Sequence, residues 1–469
     1  MLGFVPRPIR QFGANRTDVM LLAIVLAVSA LLGGSSIYGV AQHGWIQLAT
    51  MPLLLWMVMR RRPVAISRKG VVLLGLAGLM GLYALFQATL PFNVNWPAET
   101  PRGLVQAAQP LLGLEPGGMP LSLAPGETLA AVLALLPAIA LFIAIATARW
   151  TYTIEVVCWF VIVLGAASAT LALCQLLTGA GSPLYLYGRT SGAPGLFSNP
   201  NHQASFLVMV MPLSLALVLE KRREIGSADG QIGLFIITVG LFLLLAVGIF
   251  AAQSNAGFGL LAGIIPLCIL LAFPKRMKDS LHIVLPILFC ALAIGVATMV
   301  YAGLDPRQLL AEEGSPASRP EVWKQGLVIA RDHLPFGTGL GTFEYVYPLY
   351  ETEGMITNRY MNAAHNEYLQ AVIELGVVGA LLVGAGVLFW GVLAAGAWAG
   401  KANNEGRIRR AASLSILVVI LHSIVDYPLH APLYMAVAAI FAGILCLPPR
   451  HARQKTQRAP ADSEKRISL

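Results

Sequence analysis

Apolar runs alternate with short polar segments along the whole chain. About twelve of them have the length that a helix needs to cross a bilayer: near 19–38, 44–59, 70–90, 128–148, 153–178, 203–219, 231–251, 256–273, 282–302, 367–398, 411–425 and 431–448. They lack the period-two alternation of a membrane barrel, and lipid offers the backbone no outside hydrogen-bond partner. The pattern therefore predicts an all-α polytopic membrane protein. The first run follows Arg7, Arg10 and Arg16 without a convincing small-residue cleavage site, so it reads as a retained first helix.

Composition agrees with this reading. The chain is 57% hydrophobic and 12% charged, against roughly 25% charged residues in soluble domains. Charge then orients the helices. With the N-terminus in the cytoplasm and sides alternating, basic clusters fall inside: Arg60, Arg61, Arg62, Arg68 and Lys69, then Lys221, Arg222 and Arg223, then Lys275, Arg276 and Lys278. Of the 32 Lys and Arg, the opposite side keeps only Arg102, Arg189, Arg307, Arg319, Lys324, Arg331 and Arg359. This asymmetry predicts cytoplasmic N- and C-termini and an even helix count. It also accounts for most of the net charge of +9, so that charge gives no reason to invoke nucleic acid as a partner. The five cysteines lie in or beside apolar runs, which argues against disulfides and a cysteine metal site.

Residues 1–448 read as one transmembrane domain, with long outer loops at 91–127, 179–202 and 303–366, the last between the ninth and tenth helices. The first is rich in Pro and Gly and reads as a cover on the membrane surface. The third is expected to be part helical: EVWKQGLVIARDH sets Val322, Leu327, Val328 and Ile329 near one side, as in a helix lying on a surface. The tail at 449–469 is basic and polar, with the composition of a disordered segment. Outer Lys and Arg gather in the second and third loops, so any chemistry should face outward.

Polar chemistry concentrates between Pro335 and Gly379. His365 starts the tenth run. At a helix N-terminus the positive end of the dipole favours neutral imidazole, which suits a general base. A plain interfacial anchor is the competing reading. Asn366 adjoins it, and Glu367, Gln370 and Glu374 follow at i, i+3 and i+7 on one face. Glu374 would lie roughly 13 Å deeper than His365, facing a bundle interior or a wet cavity rather than lipid. Arg189 and Arg319, without matching local acids, suit an anionic ligand such as phosphate, the alternative being loop salt bridges. Gly337, Gly339 and Gly341 lack a following Lys-Ser, so they read as close backbone packing rather than a nucleotide loop. Asp426, with His430 nearby, could orient His365 or an arginine, or cap a turn. His202, after Asn201, carries the same ambiguity as an anchor or a functional group. No metal-ligand spacing and no DxD pair stand out, so neither metal nor cofactor is expected.

The segments PFGTGLGTF…AAHNEYLQAVIELGVVG, GAPGLFSNPNHQASFL, SRPEVWKQGLVIARDHLPFG and VDYPLHAPL together resemble the bacterial O-antigen ligase and O-antigen polymerase (WaaL/Wzy-like) superfamily. The resemblance implies a GT-C-like glycosyltransferase architecture in the bacterial inner membrane. It implies a glycan donor on undecaprenyl pyrophosphate, used on the periplasmic side without metal, and a lipid A–core or lipid-linked glycan acceptor. It implies that Arg189 and Arg319 grip the pyrophosphate, that His365 activates the acceptor hydroxyl, and that transfer inverts the anomeric centre. Asn201, Asn366, Glu367, Glu374 and Asp426 would support that site. One departure is visible: many relatives carry Ser-Arg-Gly after the seventh helix, where this chain has Gln253-Ser254-Asn255-Ala256-Gly257.

The leading expectation is thus a ligase-like enzyme of lipopolysaccharide biosynthesis. Polymerisation of O-antigen, capsule or exopolysaccharide repeats is the near alternative. A transporter or flippase of lipid-linked glycan is the alternative of another class. Polar residues gathered at one membrane edge, with no evident half-repeat, argue against it.

Overall fold

The computed structural model describes residues 13–36, 41–59, 66–92, 101–113, 118–148, 152–179, 181–188, 192–273, 319–351, 361–401 and 403–447. Arg189, the apolar run at 282–302, residues 303–318 of the third outer loop and the tail at 449–469 lie outside them.

The helices in chain order are α1 (Gly13–Leu32), α2 (Ala41–Met59), α3 (Arg68–Thr89), α4 (Pro101–Ala108), α5 (Pro125–Ala134), α6 (Leu136–Ala146), α7 (Tyr152–Thr178), α8 (Pro200–Glu224), α9 (Ala228–Ala251), α10 (Asn255–Ala272), α11 (Arg319–His333), α12 (Phe343–Val346), α13 (Glu367–Ala399), α14 (Asn404–His422) and α15 (Pro432–Cys446). Among the described residues, seven are long and apolar enough to cross a membrane, α5 and α6 counting as one span and α13 as another. The protein is an all-α, multi-pass membrane protein. Cys158, Cys174, Cys268 and Cys446 are free thiols.

Helix α8 is the axis of the bundle. It packs against α7, α9, α10 and α14, while α15 packs against α6 and α14. Its side chains from His202 to Ser214 are buried throughout, so burial runs all round the helix rather than along one stripe. Peripheral helices instead expose large apolar side chains, among them Leu82, Phe235, Ile237 and Leu388. Bands of that kind need lipid against them.

Outside the spans, a short antiparallel pair, β1 (Pro91–Phe92) with β2 (Met119–Pro120), closes the first outer loop. Arg102 of that loop is buried and donates to the carbonyls of Leu121 and Gly337. Its role is thus to tie the first outer loop to the third.

Helix α11 forms where the sequence predicts it, with a different facing. It docks on α13 through Val322, Gly326, Ile329 and Ala330, and Leu327 points outward at 62% exposed. The expected stripe of Val322, Leu327, Val328 and Ile329 treats the helix as lying alone on a surface. Contact with α13 selects the small Gly326 instead, where an added Cβ would come within 3.0 Å of Leu369.

Candidate active site

The Gly-rich loop is a backbone splice. Helix α13 is interrupted at Gly376, whose φ of 61° and ψ of −142° break the hydrogen-bond ladder. The loop fills the gap. Val377 donates to the carbonyl of Pro335 at 3.0 Å, Thr338 to that of Ile373 at 2.9 Å, and Gly339 to that of Glu374 at 2.9 Å. A Cβ at Gly337 would sit 2.3 Å from the Glu374 carbonyl oxygen, so only glycine admits this approach. The Glu374 carboxylate is buried and accepts from Gly341 N at 2.8 Å, Phe343 N at 3.2 Å and Gln370 Nε2 at 3.0 Å. The side chain faces the protein interior rather than lipid, at 3% exposed. Its partners are the loop amides, which makes it a structural staple for the splice.

One turn outward, Asn366 caps α13 by accepting from Leu369 N at 2.9 Å. His365 just before it has a φ of 50°, an uncommon conformation for a side-chain-bearing residue. The preceding residue is fixed on both sides. Ala364 N donates to Gln370 Oε1 at 3.0 Å, and Ala364 O accepts from Trp323 Nε1 of α11 at 3.0 Å.

The His365 imidazole then meets Asp426, in the turn between α14 and α15. His365 Nδ1 lies 3.4 Å from Asp426 Oδ1, and Arg319 Nη2, from the start of α11, lies 3.7 Å from Oδ2. His202 Nε2, at the start of α8, stands 3.6 Å from Oδ1, and His422 Nε2, at the end of α14, 3.9 Å from Oδ2. Asp426 is fully buried. Burial alone would raise its pKa, but the hydrogen bonds and charges of His202 and His365 outweigh it and hold the carboxyl well below its ordinary value. Tyr427 wedges between the rings, edge-on to His202 at 5.1 Å and to His365 at 4.8 Å between centroids.

Among the described residues, His202, His422 and Asp426 form the donor group close enough for a metal ion, their ligand atoms lying within 4.8 Å of one another. Their carboxylate already faces the Arg319 guanidinium. A divalent ion at the same oxygens would set two cations together in a low-dielectric site. The donor set fits the role of a cradle around Asp426 better than that of a metal centre.

Of the residues singled out in the sequence, the structure brings His365, Arg319 and Asp426 together. His202 joins them. Asn201 sits beside the group as scaffold, its Oδ1 accepting from Ser254 Oγ at 2.7 Å. Ser254 is also the N-cap of α10, so the stretch that departs from Ser-Arg-Gly serves here as a turn and cap. Glu367 accepts from Leu429 N at 2.8 Å and faces His430 Nδ1 at 3.5 Å, fixing the turn that carries Asp426. Arg189 lies outside the described residues. Its loop reaches the same end of the bundle, since Ala193 N donates to the carbonyl of Ala251 at 3.0 Å. Sequence reading passes over His422 and Trp323. The one available signal for His422 is its place four residues before Asp426, one helical turn away.

No curated protein matches the chain. Residues 240–384, which run from α9 into α13 and include Arg319, His365 and Glu374, match the family model described as O-Antigen ligase, and this match supports the O-antigen ligase and polymerase superfamily as the family of the chain.

Proposed function

We propose that the protein is a periplasm-facing, inverting glycosyltransferase with GT-C-like architecture and about twelve spanning helices, its termini in the cytoplasm and its bilayer the bacterial inner membrane. It moves a glycan from undecaprenyl pyrophosphate to a hydroxyl of lipid A–core, as an O-antigen ligase does. The observation that carries the reading is the buried Asp426 carboxylate flanked by the His365 imidazole at 3.4 Å and the Arg319 guanidinium at 3.7 Å.

A carboxylate beside Nδ1 favours the tautomer with its proton there, which puts the lone pair on Nε2. Nε2 takes the proton of the acceptor hydroxyl as its oxygen attacks the anomeric carbon from the face opposite the leaving group. The bond from that carbon to the pyrophosphate oxygen breaks, and the electron pair leaves with undecaprenyl pyrophosphate. Arg319 and Arg189 compensate the charge that develops there. With cations supplied by arginine, the reaction proceeds without metal or other cofactor.

The test is transfer by the purified full chain from a lipid-linked glycan to lipid A–core, with release of undecaprenyl pyrophosphate, in the presence of EDTA. A wild-type protein that transfers nothing but moves labelled lipid-linked glycan across vesicles, at a rate unchanged in His365→Ala, would establish a flippase and sink the enzyme reading. The base and the pyrophosphate grip serve a repeat-unit polymerase equally well. Transfer to a second lipid-linked repeat, with none to lipid A–core, would assign that activity instead.

A further inference from the structure

Arg319 and Trp323 lie four residues apart on α11, on one face. The first points its guanidinium at Asp426, which faces His365. The second donates its indole N–H to the carbonyl of Ala364, the residue before His365. On the other side of the same residue, in the peptide before, Ala364 N donates to Gln370 Oε1. The Gln370 amide is itself oriented, because its Nε2 donates to Glu374 Oε1 at 3.0 Å and lies 3.0 Å from His430 Nε2. These bonds fix which end of the amide faces Ala364.

We infer that Trp323 and Gln370 are positioning residues for His365: between them they clamp Ala364 through the two peptides that flank it and so hold the imidazole of a left-handed residue against Asp426. The inference rests on the proposed role of His365 as base. A non-glycine residue at a φ of 50° persists where its surroundings over-determine it. Here the clamp supplies two of the fixed points, and the Asn366 cap and the bond from Glu367 N to the carbonyl of Ser423 at 2.9 Å supply the others. The clamp also joins the helix bearing one pyrophosphate-binding arginine to the turn bearing the base. The separation of leaving-group and acceptor chemistry is thus set by one helix face.

The probe is replacement of Trp323 by benzothienylalanine, which keeps the ring shape and puts sulfur where the indole N–H was, alongside Trp323→Phe. Leu327→Ala, on the exposed side of α11, is the control for helix integrity, and thermal unfolding in detergent monitors folding. Transfer is measured with the lipid-linked glycan donor and the lipid A–core acceptor. The expected result is a loss in kcat of about three- to tenfold, the equivalent of one neutral hydrogen bond, with KM for the donor within about twofold of wild type. A merely structural tryptophan would lower the melting temperature without this selective loss of kcat. A benzothienylalanine variant with wild-type kcat overturns the inference while an inactive His365→Ala leaves the proposed function standing. A fully active His365→Ala removes both.

Discussion

At the scale of single residues, the site is organised around a carboxylate rather than around the histidine that draws attention in the sequence. Asp426 meets three imidazoles and one guanidinium, so its removal should disturb more than the loss of one ion pair. His365→Ala is expected to lower transfer by at least about a hundredfold, the usual scale of a lost general base. Asp426→Asn keeps the shape but offers Nδ1 an amide that can also donate, which permits the wrong tautomer. A comparable fall in kcat, in a protein that elutes and melts like wild type, is the expected outcome. Arg319→Lys keeps the charge without the planar fork. If Arg319 grips pyrophosphate, lysine should raise the donor KM, whereas an unchanged KM would leave it as a partner of Asp426 alone.

A second residue-scale effect concerns pH. His333 is buried at the end of α11, with Nε2 3.1 Å from the Tyr350 hydroxyl. Burial first, and then the Arg102 charge, push its pKa down to about 4 despite nearby Asp332. The unfolded chain therefore binds this proton more readily than the folded one. The contribution of His333 to stability is complete above pH ~6.5 and is lost as pH falls toward about 4. The melting temperature in detergent should drop across that window, and His333→Gln should flatten the drop. An identical pH dependence in the variant would show that the ring titrates normally.

At the scale of elements, the break in α13 carries the geometry. The pattern ELGVVG reads as an ordinary apolar run, and nothing local announces that Gly376 leaves the helix. The hydrogen bonds that make the break tolerable come from Pro335 to Gly339, in a loop that reads separately as irregular. The glycine alternation was legible as close backbone packing; its partner was not, because pairing at such separation has no local pattern. The helices themselves were legible from hydropathy, as the described spans from α3 to α10 show. The facing of α11 was misjudged at Leu327 for the same reason as the splice: its partner is a distant helix. Two substitutions separate these contributions. Gly376→Ala would place a Cβ 2.0 Å from the Pro335 carbonyl oxygen at a φ of 61°, so it should destabilise by about 3 kcal/mol or more and reduce the folded yield. Glu374→Gln can still accept from one loop amide, whereas Glu374→Ala strands both, at about 1–3 kcal/mol for each buried group left unsatisfied. Thermal unfolding should therefore rank wild type above Glu374→Gln above Glu374→Ala, and a reversed order would mean that the splice does not depend on the carboxylate.

At the scale of the whole molecule, residues from α8, α11, the segment leading into α13 and the turn after α14 converge at one end of the bundle, although chain order separates them widely. The proposal places that end on the outer face from the charge asymmetry between loops, where a lipid-carried donor takes the place of soluble nucleotide sugars. The proposed orientation and donor class rest on distribution along the sequence, while the proposed acceptor does not, since the proposed base and pyrophosphate grip serve ligation and polymerisation alike. A deletion strain separates them by what accumulates. Loss of ligation should leave lipid A–core bare while full-length polymer stays on undecaprenyl pyrophosphate. Loss of polymerisation should leave single repeats in place of long chains. The first pattern is expected here, restored by wild type and not by His365→Ala. Single repeats on lipid A–core, corrected by the wild-type gene, would reassign the same site to polymerisation without altering the role proposed for any of its residues. Restoration by His365→Ala would instead remove the histidine from the chemistry and leave Asp426 and Arg319 as a buried ion pair at a membrane edge.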